Sequence, residues 1–168
     1  MICYRITKYN PKYRNTEGHY LCDDWTSVAD IGKIYNGKEI TTSDYLLTED
    51  KYFQAVKYFM DEMKLTELKI KGLERSDFAS GLDENSDKLK EVYDGVKDGM
   101  TVKNPEIELV VKLILRDTLW AKLVSRDLEV HFGYDYYMYI CSKDAPNQAL
   151  DQIIESGLFV EPFKSPYL

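Results

Sequence analysis

Residues 119–140, LWAKLVSRDLEVHFGYDYYMYI, decide the fold of this 168-residue chain. Leu119, Ala121 and Leu123 alternate with Trp120, Lys122 and Val124, and the alternation resumes after a polar break at 125–127. A period of two is typical of β-strands, and a short polar break between two such runs favours a hairpin. The stretch therefore predicts an antiparallel ribbon, in which residues 128–140 form either one long strand or two strands that turn at Gly133.

Helical patterns surround the ribbon. Apolar residues recur at helical spacing after Thr48, which we predict as the cap of a long helix, and a second long helix is predicted to begin at Asn104. A C-terminal helix is predicted over about 146–155. Further strands are predicted over the alternating residues 2–9 and 66–73. Together these elements predict an α+β fold with a mostly antiparallel sheet, two long helices and the C-terminal helix lying on it.

The length of the chain fits a single domain over residues 1–168. Residues 74–103 differ from the rest, because they are charged, contain three glycines and lack a clear apolar stripe. We predict that they form a polar, acidic insertion with one short helix.

The chain is acidic, with a net charge of −7 and a pI of about 4.9. Nucleic-acid binding needs a basic face that displaces counterions, and anionic membrane surfaces attract basic segments. We therefore predict neither nucleic acid nor a membrane as a partner. A basic protein partner fits the charge, and so does the plain alternative that the acidity serves solubility.

The three cysteines, Cys3, Cys22 and Cys141, are few, odd in number and far apart, so the sequence does not predict a disulfide framework. The sequence also lacks an apolar run with the length of a signal-peptide core or a membrane-spanning helix. These features predict a cytoplasmic protein.

The sequence contains no phosphate-binding glycine loop, zinc-protease motif or nucleophile elbow. His19 and His131 could act as an acid–base pair in a small hydrolase or nuclease, with help from Asp23 or Asp24. A nucleophilic Cys22 near His19 is a further option. The alternative is that the two histidines are unrelated and that the aspartates form a turn. We predict a binding protein rather than an enzyme, with no catalytic residue, metal or cofactor.

Fourteen tyrosines are unusual for this length, and four of them lie within residues 134–139. On a strand, Tyr137 and Tyr139 would face opposite to Tyr134 and Tyr136. Tyrosine-rich faces are favoured at protein interfaces, because the ring buries area while the hydroxyl keeps a polar partner. We predict Tyr137 and Tyr139 as partner-binding residues. The alternative is a sheet that is covered on both faces.

The acidic insertion supplies a second candidate surface. Residues 77–98 hold seven acidic residues and three lysines, and seven minus three gives a local charge of −4. Four of the carboxylates have the i, i+4, i+7, i+11 spacing of one helical stripe. They are Asp87, Glu91, Asp94 and Asp98, which we predict to steer a basic partner. The alternative is a solvated face.

Three stretches resemble small acidic bacterial proteins that are encoded beside the toxins of contact-dependent and polymorphic systems. They are CYRITKYN (3–10), DDWTSVADIG (23–32) and HFGYDYYMYI (131–140). The resemblance implies an immunity role, in which the protein binds a toxin, often a basic nuclease, and blocks its active site. Our first hypothesis is therefore a non-catalytic immunity protein. The alternatives are a hydrolase that uses His19 and His131, and a regulatory or structural domain that forms a homodimer.

Overall fold

A seven-stranded antiparallel sheet dominates the computed structural model, which describes residues 1–78 and 82–168. In chain order the described strands are β1 (Ile2–Thr7), β2 (Ile34–Tyr35), β3 (Lys38–Glu39), β4 (Glu67–Arg75), β5 (Thr101–Lys103), β6 (Leu119–Val124), β7 (Leu128–Phe132), β8 (Met138–Ser142) and β9 (Phe159–Pro162). The described α-helices are α1 (Thr42–Glu62), α2 (Ser86–Gly95), α3 (Glu106–Leu115) and α4 (Asn147–Glu155). The sheet order is β5-β4-β6-β7-β8-β1-β9, while β2 and β3 form a separate hairpin. The predicted α+β fold with a mostly antiparallel sheet is confirmed.

The ribbon that decides the fold consists of β6, β7 and β8, each antiparallel to the next. Residues 128–140 therefore form two strands that turn after Gly133, which was one of the two predicted options. The predicted start of the first long helix was wrong. The helix α1 begins at Thr42, where the Thr41 hydroxyl and the Asp44 carboxylate each accept the other residue's backbone N–H. This reciprocal cap outweighs Thr48, whose hydroxyl bonds to the backbone within the helix.

The apolar face of the sheet carries the main core. One row of directly paired residues crosses five adjacent strands, and it consists of Ile70, Leu123, Val130, Ile140 and Tyr4. The first four of these side chains are completely buried. The Tyr4 ring meets Phe59 of α1 edge-on at 6.3 Å, which places α1 on this face. Because a strand alternates its side chains, the neighbouring positions all point to the opposite face.

The opposite face is polar, and the last residues of the chain (163–168, the C-terminal tail) lie across it. Phe163 stacks against the guanidinium of Arg5, with 4.2 Å between the ring centroid and Cζ. Tyr167 meets Tyr139 at 6.0 Å and Trp120 at 5.9 Å between ring centroids. The sheet is therefore covered on both faces, by helices on one and by the C-terminal tail on part of the other.

Cys3 and Cys141 form a disulfide, which corrects the expectation from the sequence. The two residues are 138 positions apart in sequence, but they are directly paired neighbours on β1 and β8. The antiparallel register brings them together, and spacing along the chain gives no sign of it. Cys22 remains a free, exposed thiol. Cysteine usage therefore does not indicate a reducing compartment.

Residues 74–103 hold α2 and the edge strand β5, which pairs with β4. Leu89 and Val96 are 2% and 3% exposed, so one side of this segment joins the core. Residues 79–81 of the predicted insertion lie outside the described residues. None of the helices in the described part of the chain has the length and apolarity needed to cross a membrane.

A buried ion pair joins three separate parts of the chain. Arg116, at the end of α3, donates to both carboxylate oxygens of Glu49 on α1 at 2.7 Å and to Asp83 at 2.8 Å. The side chains of Arg116 and Glu49 are only 5% and 1% exposed. Burial opposes the charge of Arg116, but the two carboxylates outweigh it and raise the pKa of this guanidinium above its usual range.

We expect Arg116→Met to destabilise the fold by about 3–5 kcal/mol, because it leaves the Glu49 carboxylate buried without a counter-charge. Urea unfolding measures the loss. The control is the double variant Arg116→Met with Glu49→Met, which removes both charges and should recover much of the loss. A single-variant loss below about 1 kcal/mol would mean that water reaches the pair and screens it.

We expect the purified, unreduced protein to expose one reactive thiol on denaturation, that of Cys22, and three after reduction. Reduction should lower the free energy of unfolding by up to about 5 kcal/mol, since the bond closes a very long loop. Thiol titration and urea unfolding measure the two effects, and Cys22→Ser is the control that should leave stability unchanged. Three reactive thiols without reductant would contradict the pairing.

Candidate functional site

The turn between β7 and β8 (residues 133–137) organises the candidate site. Asp135 and Tyr136 both have left-handed backbone conformations, with φ of 57° and 61°. Such angles are uncommon outside glycine and need support from the surrounding structure. They reverse the chain so sharply that Tyr136 enters the core while Tyr134 stays 84% exposed.

Two tyrosine hydroxyls from other elements hold this turn in place. Tyr52 of α1 donates to the carbonyl of Tyr136, and Tyr9 donates to the carbonyl of Asp135, each at 2.7 Å. Within the core, the Tyr136 ring meets Trp25 edge-on at 5.2 Å. The turn is therefore fixed by tertiary contacts, and the exposed groups on it have defined positions.

An open cleft of about 630 Å³, which we name the end cleft, lies beside the turn where β4 ends and β6 begins. Its walls combine aromatic rings with carboxylates, and the residues that matter below are Glu74, Asp117, Trp120, Tyr134, Asp135 and Tyr167. The Trp120 indole is fixed by its N–H, which donates to the Phe132 carbonyl at 2.9 Å. Rigid aromatic walls with a few polar groups are typical of binding sites.

The end cleft is negatively charged. Glu74, Asp117 and Asp135 line it and are exposed. Arg75 also lines it, but its guanidinium donates to two carbonyls near the end of α2. Partial burial, with the nearby Asp135 carboxylate as a smaller cause, raises the pKa of Asp117. Three carboxylates against one engaged arginine make the cleft attractive to cations.

A second cleft, of about 550 Å³, adjoins the first and shares Thr26, Asp135 and Tyr137 with it. The arginine that lines this cleft is already paired. Arg5 donates to both carboxylate oxygens of Glu161 on the paired strand, at 2.8 and 3.1 Å. Arg14 lies 3.4 Å from the same carboxylate. This arrangement ties β1, β9 and the loop after β1 together.

The four predicted acidic residues are all exposed. Asp87, Glu91 and Asp94 lie on α2, where Asp94 pairs with Lys90. Asp98 lies beyond the end of the helix, and its carboxylate accepts the Leu73 backbone N–H at 3.0 Å. Three of the four predicted residues therefore share the helix, and the fourth caps an irregular position of β4.

The two predicted tyrosines lie in different surroundings. Tyr137 lines both clefts, and its hydroxyl accepts from Arg14 Nη1 at 2.7 Å. Tyr139 is only 8% exposed, because Phe163 and Tyr167 of the C-terminal tail cover it. The exposed tyrosine of this region is Tyr134, which the sequence analysis placed on the opposite face.

The two histidines also lie in different surroundings. The side chain of His19 is 73% exposed in a loop, 3.6 Å from Glu17. His131 is completely buried between Glu129 and Ser165. The structure therefore does not bring the two imidazoles together. Asp24 pairs with Lys8 at 2.8 Å, and no cluster of three potential metal ligands occurs in residues 1–78 and 82–168.

Ser165, His131 and Glu129 form a hydroxyl–imidazole–carboxylate chain. The carboxylate only accepts, so Nε2–H of His131 donates to Glu129 at 3.0 Å and Nδ1 accepts from the Ser165 hydroxyl at 2.7 Å. Hydrolases activate a serine in this way. Here Ser165 is 3% exposed, so a substrate cannot reach it, and the chain fastens the C-terminal tail to the sheet.

Sequence reasoning missed Glu74, Asp117, Trp120 and Tyr167 as members of one site. They come from three separate segments that meet only because β4 ends where β6 begins and the C-terminal tail crosses them. The one local signal was the polar pair Arg116 and Asp117, which follows an apolar helix.

We expect acid to loosen the fold through His131. Burial lowers the pKa of His131, with Lys122 and Lys71 acting in the same direction and Glu129 opposing them. The unfolded chain therefore takes up the proton first, so this stability is complete above about pH 6.5 and is lost as the pH falls below it. Thermal unfolding at about pH 7.5 and about pH 5 should show a smaller acid loss for His131→Gln than for wild type. The control His19→Gln should behave as wild type, and an unchanged acid loss in His131→Gln would refute the assignment.

Comparison with protein-family models, with curated proteins and with solved structures finds no match for this chain.

Proposed function

We propose that the protein is a non-catalytic binding protein of the immunity type, which binds and blocks a basic bacterial toxin. The observation that supports the proposal best is the set of exposed carboxylates on α2, next to the acidic end cleft. On α2, the exposed carboxylates of Asp87 and Glu91 stand on adjacent turns with i, i+4 spacing. Like charges at this spacing repel each other, and a basic partner would relieve the repulsion.

Direct contacts join α2 to the end cleft. The Arg75 guanidinium donates to the Tyr93 carbonyl at 3.1 Å and to the carbonyl of Val96. The Tyr93 hydroxyl donates to the Ser76 carbonyl at 2.9 Å. Arg75 and Ser76 both line the cleft, so these contacts connect the acidic helix to the cleft wall. A basic partner that spanned this connection would meet carboxylates of both α2 and the cleft.

A cytoplasmic location is part of the proposal and rests on the resemblance to immunity proteins. The Cys3–Cys141 disulfide is of a kind that persists in oxidising compartments. Trapping thiols in intact cells before lysis distinguishes the two cases. Reduced cysteines would fit the cytoplasm, and a disulfide already present in the cell would contradict it.

The functional test begins with the gene beside this one. We expect it to encode a secreted protein with a variable C-terminal toxin domain, and we expect co-expression of the present protein to protect cells from that domain. Purified toxin domain and purified protein should form a stoichiometric complex in gel filtration with light scattering. Neighbouring genes for metabolic enzymes only, or no complex with the neighbouring toxin domain, would refute the proposal.

With such a partner, Asp87→Lys together with Glu91→Lys should slow association at low salt by about tenfold, because it reverses the steering field. Stopped-flow measurement over a range of salt concentrations shows the effect. The matched control is Asp151→Lys with Glu155→Lys, an exposed pair with the same i, i+4 spacing and charge change on α4. Equal slowing by both pairs would assign the effect to net charge instead of to the α2 surface.

A further inference from the structure

We propose that the end cleft is a recognition pocket for one arginine or lysine side chain of the partner. This proposal rests on the proposed function, because it names the chemical group that the acidic surface would receive. The pocket would bind the aliphatic stem and the cationic head of that side chain between aromatic rings and carboxylates. Aromatic rings and carboxylates both line this one cavity of about 630 Å³.

The aromatic component is positioned before any ligand arrives. Trp120 is fixed by the hydrogen bond from its indole N–H to Phe132, and the Tyr167 ring lies 5.9 Å from it. Tyr134 contributes an 84% exposed ring on a turn that tertiary contacts hold in place. A cation over the face of a tyrosine or tryptophan ring is attracted by the negative face of the ring, more strongly the further the cation is desolvated.

The acidic component determines the sign of the ligand charge. Asp117 and Asp135 lie on two different turns, both with left-handed backbones, that converge on the cleft. Glu74 lies at the end of β4 on the same cleft. The guanidinium of Arg75 is bonded to carbonyls near the end of α2. Carboxylates above aromatic walls fit a guanidinium or ammonium group, whereas an anionic ligand would be repelled.

The choice of one residue as occupant follows from size. A cavity of this volume accommodates a side chain or a small ligand, but not a folded element. Buried arginines with aromatic neighbours are frequent anchors of protein interfaces. A neutral sugar would also stack on the rings, so the test includes it as the competing ligand.

The test uses the isolated, isotope-labelled protein and the acetylated, amidated tripeptide Arg-Arg-Arg as probe. We expect saturable NMR shifts of the Trp120 indole N–H and the Gly133 amide at about millimolar probe. The indole of Trp25, which is 6% exposed in the core, is the internal reference and should not move. Asp117→Asn with Asp135→Asn should weaken binding at least about tenfold, as expected for loss of the charge-assisted contacts.

The matched control is Asp87→Asn with Glu91→Gln, which removes the same number of carboxylates from α2 and should leave probe binding unchanged. Tyr134→Phe should retain binding, whereas Tyr134→Ser should weaken it. If the cleft variant and the α2 variant lost the same affinity for the probe, the loss would be an effect of net charge, and the proposal would be wrong. Shifts of Trp120 with maltotriose but not with the arginine probe would overturn it in favour of a carbohydrate site.

The pocket and the proposed function can each fail without the other. A toxin complex that forms normally with the Asp117→Asn, Asp135→Asn variant would refute the pocket and leave the immunity function standing. If the protein bound the arginine probe specifically but formed no complex with a toxin, the pocket would be supported and the immunity function would be refuted.

Discussion

The left-handed turn at Asp135 and Tyr136 is the constraint on which the rest of the site depends. A turn with two such residues in succession would be strained in isolation, and hydroxyl groups from α1 and the loop after β1 hold it. Because Tyr136 enters the core, its neighbour Tyr134 is forced outward. One backbone feature therefore determines both a central core ring and the most exposed aromatic ring of the cleft.

Charge is used in two different ways in this molecule. Arg116 with Glu49 in the interior, and Arg5 with Glu161 in a partly buried position, form close pairs that join distant segments. Removing one partner of a buried pair leaves a charge without a counter-charge, so these pairs fix which segments lie together. At the surface, Asp87 and Glu91 of α2 and the three carboxylates of the end cleft are exposed, while Asp94 of α2 pairs with Lys90. These exposed carboxylates lie where a partner can reach them.

The sequence predicted the larger helices and strands, but not the short strands β2, β3 and β5 or the contacts between distant segments. The alternation along residues 119–140 predicts the central strands because burial of one face imposes a period of two. The start of α1 was missed because a threonine inside a helix resembles a cap as closely as Thr41 does. The disulfide, the enclosed His131 and the end cleft depend on strand register and on the path of the C-terminal tail. The local periodicity of the sequence predicts neither the strand register nor the path of the tail.

The place of β1 between two other strands of the sheet has a consequence for the order of folding. This strand lies between β8 and β9, and Cys3 meets its partner 138 residues further along the chain. During synthesis β1 therefore stays unpaired until its partner strands β8 and β9 have left the ribosome. Contacts of such high sequence separation slow folding, and an unpaired strand edge invites association with other chains. A nascent or shortened form of this protein would accordingly be a natural client for chaperones.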